Sequence, residues 1–181
     1  MRMKPQLRRL ALTAHITFSV GWIGAVVGFL VLAVEGLISQ DSQTVRAVYL
    51  AMNVTGWFAV VPLALAALLT GVVSSLGTEW GLLRHYWVWM KFLITIFATA
   101  VLIVHMQVTV RVANAAAKTT LTANDLSGDR IQLVTAAGGG LLVLLVVMVL
   151  SVYKPRGRTR YGFRKNARKQ KQDRKRAVLS P

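Results

Sequence analysis

Apolar residues along this chain are gathered into four long runs, and the polar residues are concentrated between and beyond them. The runs cover about residues 10–38, 49–76, 86–112 and 131–153. Each is at least as long as the ~20 residues that a helix needs to cross the hydrocarbon core of a bilayer. The pattern predicts an all-α polytopic membrane protein, in which residues 1–153 form a four-transmembrane-helix bundle.

Composition agrees with a membrane protein. The 181 residues are 55% hydrophobic and 15% charged, and the formal net charge is +16, a combination that ordinary soluble domains do not show. Cysteine is absent, which excludes disulfides, thiolate metal sites and thiol redox chemistry.

The positive charge lies mainly at the two ends of the chain. The first nine residues contain four of the 22 Lys and Arg residues, and residues 154–181 contain twelve. Because positive segments are retained on the cytoplasmic side of a membrane, both termini are predicted to be cytoplasmic, as an even number of spans requires.

Residues 154–181 form a basic cytoplasmic tail with too few apolar residues to build a core, so we expect the isolated tail to be disordered. Its expected partner is the anionic headgroups of the inner leaflet, to which each basic residue contributes about 1 kcal/mol. A solvated tail that only fixes the topology is the alternative. No specific nucleic-acid partner is expected.

Three features of the runs predict how the helices pack. Gly21, Gly24 and Gly28 fall on one face of the first span, where small residues allow another helix to approach. Pro62 should interrupt the hydrogen bonding of the second span and kink it. The glycine triplet at residues 138–140 should permit close packing or bending of the fourth span.

Candidate chemistry rests on polar side chains inside the runs, namely His15 in the first and Lys91 and His105 in the third. Such residues usually face the protein interior or water. His15 and Lys91 each lie about five positions from the predicted cytoplasmic end of a run, so parallel helices would carry them to equal depth. We predict a cofactor-binding site between the first and third spans, formed by His15 and Lys91. His105 is a further candidate, on the same face of the third span as Lys91 but ~21 Å from it along the helix.

Each candidate also has a purely structural interpretation. The Lys91 side chain would extend toward the membrane surface, so that its ammonium group reaches the headgroups, and His15 would hydrogen-bond a nearby hydroxyl or water. For His105, the structural alternative is a hydrogen bond to a neighbouring helix, for instance to Glu35. The pattern identifies no catalytic residue and no metal site, and it leaves open whether the protein is an enzyme.

Residues 15–24 read His-Ile-Thr-Phe-Ser-Val-Gly-Trp-Ile-Gly, and the third run contains Trp87-x-x-x-Lys91 and later His105. This combination resembles the CopD-like group of bacterial membrane proteins, which includes the copper-resistance D proteins and the HemJ-type protoporphyrinogen oxidases. Residues 75–88 are similar to a stretch of an uncharacterised integral membrane family of that group. The resemblance covers about residues 8–112 and implies a multi-pass protein of the bacterial plasma membrane.

The resemblance implies two functions. Similarity to the HemJ-type proteins implies a redox role with b-type haem or porphyrin, bound by His15 and Lys91. His105, which shares the helical face of Lys91, is the third candidate ligand. Similarity to copper-resistance D implies copper handling, for which His105, Met106 and Met52 are the available side chains. A third hypothesis is a non-enzymatic subunit or scaffold, acting as a homo-oligomer or in a membrane complex.

Overall fold

The structure is a computed structural model that describes residues 4–76, 86–118 and 126–153, and the described residues are almost entirely helical. In chain order, the elements are α1 (Pro5–Ile38), α2 (Ser42–Thr55), a π-helical segment (Gly56–Val60), α3 (Val61–Leu76), α4 (Tyr86–Lys118) and α5 (Ser127–Tyr153). Four helical stretches are long and apolar enough to cross a membrane, with α2, the π-helical segment and α3 forming one continuous span. The predicted fold class, an all-α bundle of four spans, is confirmed. The predicted tail at residues 154–181 lies outside the described residues.

The second span extends beyond its apolar run because a side chain caps its N-terminal end. The second span begins at Ser42 rather than at residue 49, because the carboxylate of Asp41 accepts hydrogen bonds from the backbone N–H groups of Gln43 and Thr44. The Thr44 hydroxyl also donates to this carboxylate, over 2.6 Å. Hydrogen bonds from the hydroxyl and N–H of Thr44 hold the pKa of Asp41 below its ordinary value. The carboxylate cap is therefore present at neutral pH and is lost as the pH falls through that lowered pKa.

The interruption predicted at Pro62 takes the form of the π-helical segment directly before it. The N–H of Val61 bonds the carbonyl of Gly56, five residues back. Proline lacks an N–H and its ring clashes with the carbonyl four residues earlier, so a wider turn before Pro62 accommodates it. Single π-turns inside α-helices are frequent at functional sites, and Val60 of this segment lines the cavity described below.

The four spans form a ring around the bundle axis. α1 packs against α2, α3 and α5, and α4 packs against the same three helices. Among the described residues, no Cα atom of α1 lies within 8 Å of one in α4, so the two helices lie diagonally opposite each other. A site that uses both helices must therefore lie in the bundle interior or at one of its ends.

Of the three glycines predicted to form a packed face on α1, only Gly21 lies next to another helix, where a Cβ atom would be 3.5 Å from Leu63 of α3, so the prediction is wrong for Gly24 and Gly28. Gly24 and Gly28 are exposed, and a Cβ atom at either position would meet nothing within 4 Å. The buried residues of α1 are Trp22, Val26, Ala33 and Gly36. Trp22 and Val26 therefore fill the space toward the bundle axis, whereas Gly24 and Gly28 face outward.

A buried arginine ties α5 to α1 and α2 at the end of the bundle opposite the N-terminus. Arg130 is only 1% exposed. Its Nε donates to the Tyr49 hydroxyl over 3.0 Å, and its Nη2 donates to the carbonyl of Gly36. The guanidinium also lies 5.7 Å from the centre of the Tyr49 ring. Because the last carbonyls of a helix have no partner within it, Arg130 closes the C-terminal end of α1.

Candidate functional site: a cavity within the bundle

A cavity of about 280 Å³ lies between the middle parts of α1, α4 and α5. Its wall is almost entirely apolar. Its lining residues include Trp22, Val60, Phe97, Val101, His105, Thr109, Thr135, Gly139, Gly140 and Val143. They lie near the midpoints of their helices, so the cavity is at middle depth in the span region.

The glycine triplet of α5 makes this space instead of closing it. A Cβ atom at any of residues 138–140 would meet nothing within 4 Å, and Gly139 and Gly140 line the cavity. The prediction of close packing at the triplet is therefore wrong. Missing side chains on α5 leave a gap that α4 does not fill.

The cavity opens sideways, between α4 and α5. Phe97 is 71% exposed, and Val101, Gly139 and Val143 are also exposed, although all four line the cavity. Side chains that both line a cavity and reach the outer surface mark its mouth. Because these are membrane-spanning helices, the surface around the mouth faces lipid. A molecule could enter from the hydrocarbon of the bilayer without crossing water.

His105 is the ionisable side chain in the cavity wall. Its Nδ1 lies 2.9 Å from the carbonyl of Val101, one turn earlier on the same helix. The predicted alternative partner, Glu35, is an exposed residue of the diagonal helix. Since a carbonyl only accepts hydrogen bonds, Nδ1 carries the proton and, in the neutral ring, Nε2 carries a lone pair. This tautomer is the one that a ligating or accepting histidine uses.

Two hydroxyl groups in the wall use their protons inside their own helices. Thr109 donates to the carbonyl of His105 over 3.3 Å. Thr135 is 3.0 Å from the carbonyl of Ile131 and 3.1 Å from that of Gln132. Each hydroxyl therefore has only lone pairs left for another partner.

His15 lies elsewhere, near the N-terminal end of α1. Its Nδ1 is 3.0 Å from the carbonyl of Ala67 and 3.3 Å from the Thr70 hydroxyl. A Cβ atom at Gly71 would be 3.0 Å from the imidazole, so the ring packs closely on α3. His15 thus joins α1 to α3, and as in His105 its Nδ1 carries the proton.

Lys91 lies at the same end of the bundle as His15. Its Nζ donates to the Ser151 hydroxyl on α5 over 2.9 Å. Lys91 thus contacts α5, whereas His15 contacts α3. His105 belongs to the separate, mid-depth cavity.

Haem b, which the resemblance implies, fits the cavity only in part. Nε2 of His105, which has no hydrogen-bond partner among the described residues, would hold the haem iron, and the apolar wall would suit the faces of a macrocycle. However, the volume is slightly below the ~300–1,000 Å³ of pockets that hold drug-sized ligands. Among the described lining residues there is also no Lys or Arg to pair with haem propionates.

Metal ligation has less geometric basis. Within residues 4–76, 86–118 and 126–153, no group of three or more His, Asp or Glu side chains is placed to hold a metal ion. Met52 and Met106, considered above as copper ligands, are buried, and the Met106 thioether packs against Gly56.

Comparison with protein-family models, curated proteins and solved structures finds no match to this chain. The candidate site therefore rests on its own geometry. Sequence reasoning selected His105 but missed the residues that form the mouth, Phe97 and Gly139. The signal that pointed to them was three consecutive glycines in the middle of a Leu- and Val-rich span.

Proposed function

We propose that this multi-pass membrane protein binds a small lipophilic molecule in the cavity between α1, α4 and α5. The observation that carries the proposal is the mouth between α4 and α5, which connects an apolar cavity to the lipid-facing surface. Transfer of a ligand from the bilayer into such a cavity requires no desolvation of charged groups. Carrier, sensor and enzyme roles all begin with this binding step.

The size of the cavity limits the ligand. An engineered protein cavity of 150 Å³ lined by Leu, Ile and Phe stays dry and binds benzene. At about 280 Å³, this cavity has nearly twice that volume, which suits two fused rings or a short branched hydrocarbon. Larger molecules would have to leave part of their chain in the bilayer, through the mouth.

The proposal predicts that filling the gap on α5 abolishes binding. We expect naphthalene to raise the unfolding temperature of the purified wild-type protein in detergent, because a ligand that binds only the folded state stabilises it. Leucine at Gly139 and Gly140 would occupy the cavity, so the variants Gly139→Leu and Gly140→Leu should lose this increase.

Gly24→Leu is the matched control. Gly24 is also an exposed helical glycine with nothing within 4 Å of its Cβ position, but it does not line the cavity. It should keep the full response to naphthalene. An unchanged unfolding temperature of the wild type, or an equal increase in Gly139→Leu, would contradict the proposal.

Haem b is a second candidate ligand, favoured by the tautomer of His105. When bound, haem supplies one-electron chemistry at its iron. The residues of this chain would hold it by Nε2 of His105 and by the apolar wall, with His15 and Lys91 forming the alternative site that the resemblance implies. A visible spectrum of the purified protein distinguishes the two ligands, because only haem gives a Soret band. Loss of that band in His105→Ala, with retention in His15→Ala, would assign the haem to the cavity.

Orientation and the role of the tail are further parts of the proposal. Charge bias favours cytoplasmic termini and contact of the tail with anionic lipid. Reporter fusions after residues 42 and 122 should read as outside, and one after residue 181 as inside. A cytoplasmic signal after residue 122 would refute this orientation.

A further inference from the structure

We infer that the ligand of this cavity carries a hydroxyl group or a similar hydrogen-bond donor, and that Nε2 of His105 accepts its proton. This inference rests on the proposed function, since it concerns the chemistry of the same cavity. It selects lipophilic alcohols and phenols over hydrocarbons and over molecules with carbonyl or ether oxygens only.

The polar side-chain atoms of the cavity wall are almost all hydrogen-bond acceptors. Nδ1 of His105 donates to Val101, which leaves Nε2 as an acceptor. The hydroxyl groups of Thr109 and Thr135 donate to backbone carbonyls of their own helices. The three polar side chains that line the cavity alongside its apolar residues therefore offer lone pairs, and none has a proton to spare.

Trp22 is the other lining residue with a donor group, and its nitrogen is not available to a ligand. The residue is 4% exposed, and its Nε1 is covered by surrounding atoms without having a hydrogen-bond partner among the described residues. The indole ring faces the cavity as an apolar surface. Among the described residues, no Lys or Arg lines the cavity either.

This set of acceptors discriminates between ligands. A ligand whose only polar atom is a carbonyl or ether oxygen would bring a second acceptor into a wall of acceptors, and that oxygen would lose its hydrogen bonds to water or headgroups without replacement. A hydroxyl group can instead donate to Nε2. Sites that hydrogen-bond a ligand hydroxyl reject analogues lacking it more strongly than apolar walls reject an added group.

Three probes of nearly equal size test the inference: 2-naphthol, its methyl ether 2-methoxynaphthalene, and naphthalene. Binding to the purified full-length protein in detergent is measured by titration, with each probe's partition into empty micelles subtracted. We expect the wild type to bind 2-naphthol roughly tenfold to a hundredfold more tightly than the methyl ether, which corresponds to the loss of one hydrogen bond at a buried acceptor.

The variant His105→Leu removes the acceptor and keeps the wall apolar. It should bind 2-naphthol no better than the methyl ether, while its affinity for naphthalene stays close to that of the wild type, which also shows that the cavity is intact. Thr95→Val is the matched control. The Thr95 hydroxyl lies on the same helix and donates to the backbone carbonyl of Lys91, but Thr95 does not line the cavity. It should keep the wild-type preference.

The outcomes separate the two claims. Equal affinity of the wild type for 2-naphthol and its methyl ether would overturn the donor inference while leaving lipophilic binding intact. A preference that survives in His105→Leu would overturn the role of His105. If none of the three probes binds the wild type, both the inference and the proposed function fail. Should His105→Leu not fold, the comparison of the three probes in the wild type still decides whether a donor is required.

Discussion

Replacing Arg130 with alanine should destabilise the folded protein by about 2–4 kcal/mol. The guanidinium bonds the Tyr49 hydroxyl and the carbonyl of Gly36 inside the bundle, and each buried group left without a partner costs about 1–3 kcal/mol. Alanine also removes the free-energy cost of burying the guanidinium charge, which offsets part of this loss. Equilibrium unfolding in mixed detergent micelles would measure the change in free energy.

Arg111→Ala is the control for Arg130→Ala. Arg111 is an exposed arginine whose ion pair with Asp129, at 3.4 Å, lies near the same end of the bundle. Exposed ion pairs contribute about 0–1 kcal/mol, so this variant should differ little from the wild type. Arg130→Lys keeps the charge but not the fork that reaches two partners, and we expect an intermediate loss. Equal effects of Arg130→Ala and Arg111→Ala would contradict the structural role of Arg130.

Gly36→Ala should destabilise the protein by about 1–3 kcal/mol, although most changes from glycine to alanine in helices stabilise. A Cβ atom at Gly36 would lie 2.7 Å from Cζ and 2.9 Å from the hydroxyl oxygen of Tyr49. Tyr49 is 1% exposed and its ring is rigid, so it can move away only by disturbing its neighbours. Overpacking of this kind costs about 1–3 kcal/mol.

The same change on the outer face of α1 should have the opposite sign. Gly28→Ala adds a methyl group where nothing lies within 4 Å, so it should stabilise the helix by about 0.5–1 kcal/mol. Unfolding of the two variants under identical conditions makes the comparison direct. Because Gly36 and Arg130 act on the same tyrosine, the double variant should lose less than the sum of the single losses. Additive losses would mean that the two contacts are independent.

The sequence predicts the spans well because their signal is length and apolarity, which depend on the bilayer and not on the neighbouring helices. The faces of the helices are harder to predict. Lipid and protein interior are both apolar, so the periodicity that identifies the buried side of a soluble helix is weak here. Gly24 and Gly28 of α1 were assigned to the packed face for this reason, whereas Trp22 and Val26 occupy it.

Long-range contacts account for what the sequence could not predict at the two ends of the bundle. Arg130 lies just before the apolar run at residues 131–153, and its burial depends on Gly36 and Tyr49, which are distant in the chain. His15 and Lys91 were expected at one depth; both lie toward the end of the bundle where α1 begins, but His15 bonds α3 and Lys91 bonds α5. Whether they form a cofactor site stays a prediction. The cavity itself follows from a mismatch between α4 and α5 that neither helix shows alone.

Because the mouth between α4 and α5 opens sideways to the lipid, the bilayer is the solvent in which the concentration of any ligand of the cavity has to be expressed. A lipophilic molecule reaches the mouth from the bilayer, so its local concentration is its mole fraction among the lipids and not its concentration in the buffer. Acyl chains are present at far higher abundance and compete for the same opening. Occupancy should therefore change with the protein's lipid environment even when the total amount of ligand is constant, and cells could control it through membrane composition alone.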